Sequence, residues 1–251
     1  MATELRISEE DVRATRVFFT IGYILRIFPY INIVGFVLTF ISWLKLSIRL
    51  ANKFYKIALI GAVILLISIA YSLFVSTTIA MSTFEILPPG EITFDQYKEL
   101  LRNTTIITKN EMENPGVYIT ELAIGLGLIL ESLGIRQLYR DTRRFIPIYL
   151  TILFIALGII HFILFALHPL TAPGLDNVIK TVDRAESLVD LKNAYTELLI
   201  VLLPLTITGV INFFITLITY ILTGYKYWKL YGELVKLRIA TTGIESSIAS
   251  I

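Results

Sequence analysis

The chain has 251 residues, of which 55% are hydrophobic, with 22 Lys and Arg against 20 Asp and Glu, a net charge of +2, two His and no Cys; its mean hydropathy is +0.74. A soluble domain carries about 45–50% apolar residues even when glycine is counted, and here the excess is gathered into runs of about 20, the length that crosses a ~30 Å hydrocarbon layer. Composition thus excludes an ordinary soluble domain, disulfides, thiolate metal sites and cysteine nucleophiles, and predicts an all-α polytopic membrane protein of about five spans (four to six) with two small extracytoplasmic segments.

Residues 1–16, MATELRISEEDVRATR, form a polar lead without the basic start and small-residue cleavage site of a secretory signal. Ser8 followed by Glu9, Glu10 and Asp11 reads as a helix start, with acids at the positive end of the macrodipole. Residues 17–80 hold a broken first span and a second span. The run Val17–Leu44 is interrupted by Arg26 and by Pro29-Tyr30-Ile31-Asn32, and proline inside a helix removes a hydrogen bond and clashes with the preceding turn. One long kinked span of about 42 Å is the expectation. The other reading is a re-entrant hairpin of two arms of about 12 residues, each too short to cross alone.

Lys45, Arg49, Lys53 and Lys56 then form a basic turn (45–56) with no acid, in which Asn52 is a candidate N-cap. The second span, Ile57–Ala80, carries small residues, among them Gly61 and Ser72, that let a neighbouring helix approach. Segment 81–116 contains Pro88-Pro89-Gly90, a short helix over Phe94–Arg102 and a stretch of strand propensity, Thr104–Thr108. Asn103-Thr104-Thr105 is a glycosylation sequon, so Asn103 is a possible acceptor.

Residues 117–168 hold the third span (Val117–Ile135, with Ala123 four residues before Gly127), a second basic turn (136–147: Arg136, Arg140, Arg143 and Arg144, with Asp141 the one acid) and the fourth span, Phe145–Leu167. Residues 169–197 read as an amphipathic extracytoplasmic helix, with Leu175, Ile179, Val182 and Val189 at helical spacing, that runs into the last span, 198–225. The exit of that span is aromatic and basic, with Lys226, Trp228 and Lys229, and leads into a tail over 226–251.

By the positive-inside rule both basic turns and the C-terminus are cytoplasmic, with 81–116 and 169–197 outside. A crossing first helix puts the N-terminus outside, and a re-entrant one puts it inside. Basic residues of the two turns align at an offset of 91 positions, Lys45 on Arg136, Arg49 on Arg140 and Lys53 on Arg144. Such a match fits either a parallel duplication or two ordinary positive-inside hairpins.

Polar residues at membrane depth are Arg26, Glu121, Glu131, His161 and Asn212. An ionisable residue there is costly and marks a functional hypothesis. Glu121 and His161 lie about 6 and 10 Å inside the outer face and are placed to meet, either as a proton or cation relay or as an interhelical packing bond. Glu131 is placed to pair with Lys45, Arg49 or Arg26, and Asn212 reads as helix-to-helix glue. The basic turns suit anionic headgroups or serve topology alone. No Gly-rich phosphate loop, His-Glu-x-x-His, Gly-x-Ser-x-Gly or acidic metal cluster is present, so no catalytic residue, cofactor or metal ligand is assigned.

The segment IGYILRIFPYINIVGFVLTFISWLKLSIR, with Phe28-Pro29-Tyr30, Gly35 and Lys45 to Ser47, resembles a family of archaeal multi-span integral membrane proteins of unknown function. The resemblance covers roughly residues 17–70 and implies an archaeal, thermophilic source but no activity. The expected function is that of a non-enzymatic membrane protein acting through contacts, as an accessory or assembly subunit or a homo-oligomeric scaffold. Its partners would be lipids and a larger membrane complex or itself, not nucleic acid. The alternative is a small transporter or channel using Glu121, His161 and Asn212.

Overall fold

A computed structural model describes residues 7–29, 31–84, 93–142 and 144–248, with side chains described outside 76–84 and 237–248. Among the described residues there are seven helices and no strand: α1 (Glu9–Leu25), α2 (Asn32–Leu50), α3 (Lys53–Phe84), α4 (Phe94–Glu113), α5 (Pro115–Asp141), α6 (Tyr149–Arg184) and α7 (Leu188–Ile248). Five of them, α2, α3, α5, α6 and α7, hold stretches long and apolar enough to cross a bilayer. The protein is an all-α polytopic membrane protein. It divides into two compact units, unit 1 (1–67, 126–158, 214–251) and unit 2 (68–125, 159–213), so each takes part of α3, α5, α6 and α7.

In unit 1, α1 starts on a capping box. The Ser8 hydroxyl accepts from the Asp11 N–H at 3.2 Å, and the Ser8 N–H donates to the Asp11 carboxylate at 3.1 Å. Val17–Leu44 is not one kinked helix. The chain leaves α1 at Arg26, turns through Pro29 and enters α2 at Asn32, and proline's missing N–H suits that turn. The two arms then fold back on each other. A Cβ on Gly35 would lie 2.6 Å from the backbone of Gly22 and of Arg26, so only hydrogen fits there. The chain therefore folds back on itself at Pro29, but with arms of 17 and 19 residues rather than about 12, and α2 is long and apolar enough to cross.

The open end of this hairpin is tied at several points. Arg49 pairs with Asp11 at 3.3 Å, and Lys45 donates to the Ala14 carbonyl at 3.4 Å. The Arg16 guanidinium lies 4.1 Å from the Trp228 ring, and Phe19 stacks on Tyr227 at 4.2 Å. Between α2 and α3, Ala51 adopts a left-handed φ of 48°, and Asn52 caps α3 by accepting from the Phe54 N–H at 2.9 Å. Within the same unit α3 and α5 touch at Gly61 and Gly127, where a Cβ on Gly61 would meet the Gly127 carbonyl at 2.6 Å.

In unit 2, α4 is a single helix from Phe94 to Glu113, begun by a Thr93–Gln96 capping box. The strand propensity of Thr104–Thr108 is overridden because the Leu101 and Thr105 face is buried. Pro88-Pro89-Gly90 lies outside the described residues. Segment 169–197 is not one helix. α6 runs through Pro169 and Pro173 to Arg184, and α7 starts at Leu188. The break is a second capping box, in which Ser187 and Asp190 exchange backbone-to-side-chain bonds of 3.0 and 3.3 Å. Lys98 holds the end of α6 by donating to the Asp183 and Ala185 carbonyls. Leu101, Leu175, Val178, Val182, Leu191 and Ala194 form the core of this three-helix part. α7 continues past Tyr225 as helix to Ile248, so the tail is an extension of the last span.

Candidate functional site

Two polar clusters lie at the residues the sequence singles out, one in each unit. In unit 1, Glu131 of α5 takes Arg26 in preference to Lys45 or Arg49, with Nη1 to Oε2 at 2.8 Å and Nη2 to Oε1 at 3.1 Å. Both side chains are fully buried. Two further donors reach the same carboxylate, the Tyr23 hydroxyl at 2.6 Å and the Trp43 Nε1–H at 2.7 Å. Arg26 also donates to the Thr39 hydroxyl, which in turn donates to the Gly35 carbonyl at 3.0 Å. The guanidinium sits 4.2 Å from the Phe36 ring centre. Arg26, Tyr23 and Trp43 thus tie the α1–α2 hairpin to α5. The cluster is buried and nearly satisfied, with Arg26 Nε the one orphan among its described atoms. A buried polar network so nearly satisfied rigidifies the helices it joins.

The basic turns also fall in unit 1. Arg49, Lys53, Lys56, Arg136, Arg140, Arg144 and Lys229 are exposed, and Lys45 and Lys226 are half-buried; Arg143 lies outside the described residues. Asp141, the one acid of the second turn, is buried and does not neutralise the arginines there. It accepts instead from the Tyr55 hydroxyl at 2.7 Å and Gln137 Nε2 at 2.8 Å. The described arginines of the second turn therefore keep their positive charge, while Arg49 of the first pairs with Asp11.

In unit 2, His161 Nδ1 and Glu121 Oε2 meet at 2.5 Å. Glu121 also lines a cavity of about 140 Å³ with Tyr71, Ser72, Val75, Glu111, Val117, Thr120 and His168. His168 Nδ1 lies 2.8 Å from the Leu164 carbonyl. A carbonyl only accepts, so Nδ1 carries a proton. Burial pushes the Glu111 carboxyl above its usual range. Asn212 does not line this cavity, and its Oδ1 is buried without a hydrogen-bond partner among the described residues.

Asn103 lies half-buried in the middle of α4 rather than on a surface loop, the setting a sequon needs. Among the described residues, no three His, Asp or Glu side chains are placed to hold a metal ion. Sequence reasoning missed Tyr23, Trp43, Thr39, Glu111 and Tyr71. Trp43 and Tyr23 carry the one available signal, a polar tip on an apolar body that requires a partner when buried. No protein family, curated protein or solved structure matches the chain, so the functional reading rests on its own residues.

Proposed function

We propose that the protein is a non-enzymatic membrane protein that acts through protein contacts, as an accessory or assembly subunit of a larger membrane complex or as a homo-oligomeric scaffold. The observation that carries this is the burial of α7. Only 6% of its most apolar window is buried by the rest of the chain, against 28–44% for the other four candidate spans. Ile200, Leu203, Ile207, Val210, Ile211 and Ile218 are all exposed along it. Van der Waals packing, not hydrophobic burial, drives helix association in lipid, and this helix takes little of it from its own chain.

The same reading places the protein in the cell membrane with the basic turns cytoplasmic, following the positive-inside rule. Because Asp11 and Arg16 of α1 contact Arg49 and Trp228, the N-terminus belongs on that same side, and 93–113 and 169–197 on the other. The test is disulfide cross-linking of Ile207→Cys and Val210→Cys variants in native membranes, since the chain has no other cysteine. The reading expects a discrete cross-linked species; none at either position counts against it.

A second reading, a small transporter or channel, is favoured by one observation. Glu121 lines a cavity as well as meeting His161. Proton or ion flux in liposomes, lost in Glu121→Gln, is its test.

A further inference from the structure

The cavity of unit 2 is lined from four helices. From α3 come Tyr71, Ser72 and Val75, from α4 Glu111, from α5 Val117, Thr120 and Glu121, and from α6 His168. The ionisable groups facing it are two carboxylates, an imidazole and the Tyr71 phenol, with no Lys or Arg among the lining residues. Lys109, the nearest basic residue of α4 in sequence, is held by Asp176 at 2.7 Å and by Glu113 at 3.5 Å.

The cavity offers several acceptors beside the hydroxyls of Tyr71 and Ser72, which both donate and accept. His168 spends its Nδ1 proton on the Leu164 carbonyl. Thr120 spends its hydroxyl proton on the Gly116 carbonyl at 2.6 Å, leaving its oxygen lone pairs. Glu121 uses Oε2 on His161, and Glu111 is partly desolvated. An anion would face two carboxylates. A bare metal ion would find no three converging ligands. Val75, Val117 and the Tyr71 ring give the cavity an apolar wall that a hydrated inorganic cation cannot use. The volume of about 140 Å³ compares with the roughly 10–15 Å³ that holds one water on the same measure.

We propose that this cavity binds a small amphiphilic ammonium ion, its charged end held by Glu111 and Glu121 and its short alkyl part by Val75 and Val117. The proposal names the ligand class of the transporter reading and shares its site. Binding is measured without flux, so failure of transport leaves the binding site standing and failure of binding removes it.

The test is calorimetric titration of the full chain, in discs of zwitterionic lipid at pH 8, with n-butylammonium. n-Butanol serves as the neutral isostere, and sodium and magnesium as competitors. The expected result is saturable binding of one n-butylammonium per chain, no heat from n-butanol, and affinity lowered about tenfold in Glu111→Gln, the loss typical of a charge-assisted hydrogen bond. Ser72→Leu, which fills the cavity, should remove binding. Both variants should keep the thermal transition of the parent, which separates lost binding from lost folding. No saturable binding of n-butylammonium, equal binding of n-butanol, unchanged affinity in folded Glu111→Gln, or displacement by sodium or magnesium at equal concentration would overturn the proposal.

Discussion

Arg26 and Glu131 meet through two parallel hydrogen bonds while both side chains are completely buried. Such a pair contributes little net stability over an apolar pair of the same shape, but it penalises the loss of either member, because the survivor is a buried, uncompensated charge. Glu131→Ala or Arg26→Ala should each destabilise the protein by about 3–5 kcal/mol. The double variant Arg26→Met with Glu131→Leu should recover most of that loss. Unfolding in mild detergent, followed by near-ultraviolet dichroism of Trp43, reads the outcome. Single variants as stable as the parent would show that the pair is not buried.

The hairpin makes a second demand. A Cβ on Gly35 would lie 2.6 Å from backbone atoms of Gly22 and Arg26, and backbone cannot rotate away as a side chain can. Gly35→Ala should therefore cost about 1–3 kcal/mol by overpacking. The lost stability should come with faster proteolysis at the 26–31 turn. A single kinked helix would have no close neighbour at residue 35 and would tolerate the change.

How much of this was legible in the sequence depends on whether the signal was local. The membrane class, the Ser8 start and the Asn52 cap follow from composition and from one residue type at a helix end, and the structure has them. Arg26, Glu131, Glu121 and His161 stand out because charge in an apolar run is rare. Their pairing partners lie 105 and 40 positions apart and were chosen from several candidates only by packing. The hairpin was ambiguous because Pro29 permits both a kink and a turn, and the close Gly22–Gly35 contact that decides between them is tertiary. The Ser187–Asp190 box was readable as a helix start, but the apolar spacing from Leu175 to Val189 runs across it. The cavity was not legible at all, since Tyr71, Glu111 and His168 share no pattern until four helices assemble.

Glu111 gives the fold a pH dependence. Its folded-state pKa is raised by burial, so it binds its proton more tightly folded than unfolded. Its contribution is fully present below the ordinary glutamate value and is lost as pH rises through the raised one. Glu111→Gln should flatten this part of the stability–pH curve and leave the protein at least as stable near neutral pH. Thermal unfolding from pH 4 to pH 8 for parent and variant checks this; identical slopes would contradict it.

Sidedness follows from the tie between α1 and the basic turns. In the cysteine-free chain, Glu10→Cys and Arg140→Cys should be labelled by an impermeant thiol reagent from one side of sealed vesicles, and Asn110→Cys from the other. Labelling of Glu10→Cys and Arg140→Cys from opposite sides would restore a crossing first helix.

The contact reading is tested most directly by mass. The protein is extracted from its native membrane in mild detergent and weighed intact with whatever remains bound. A fixed stoichiometry, either with a second protein or with further copies of this chain, is the predicted result. A monomer accompanied by lipid alone would contradict it and leave α7 a helix that only lipid covers.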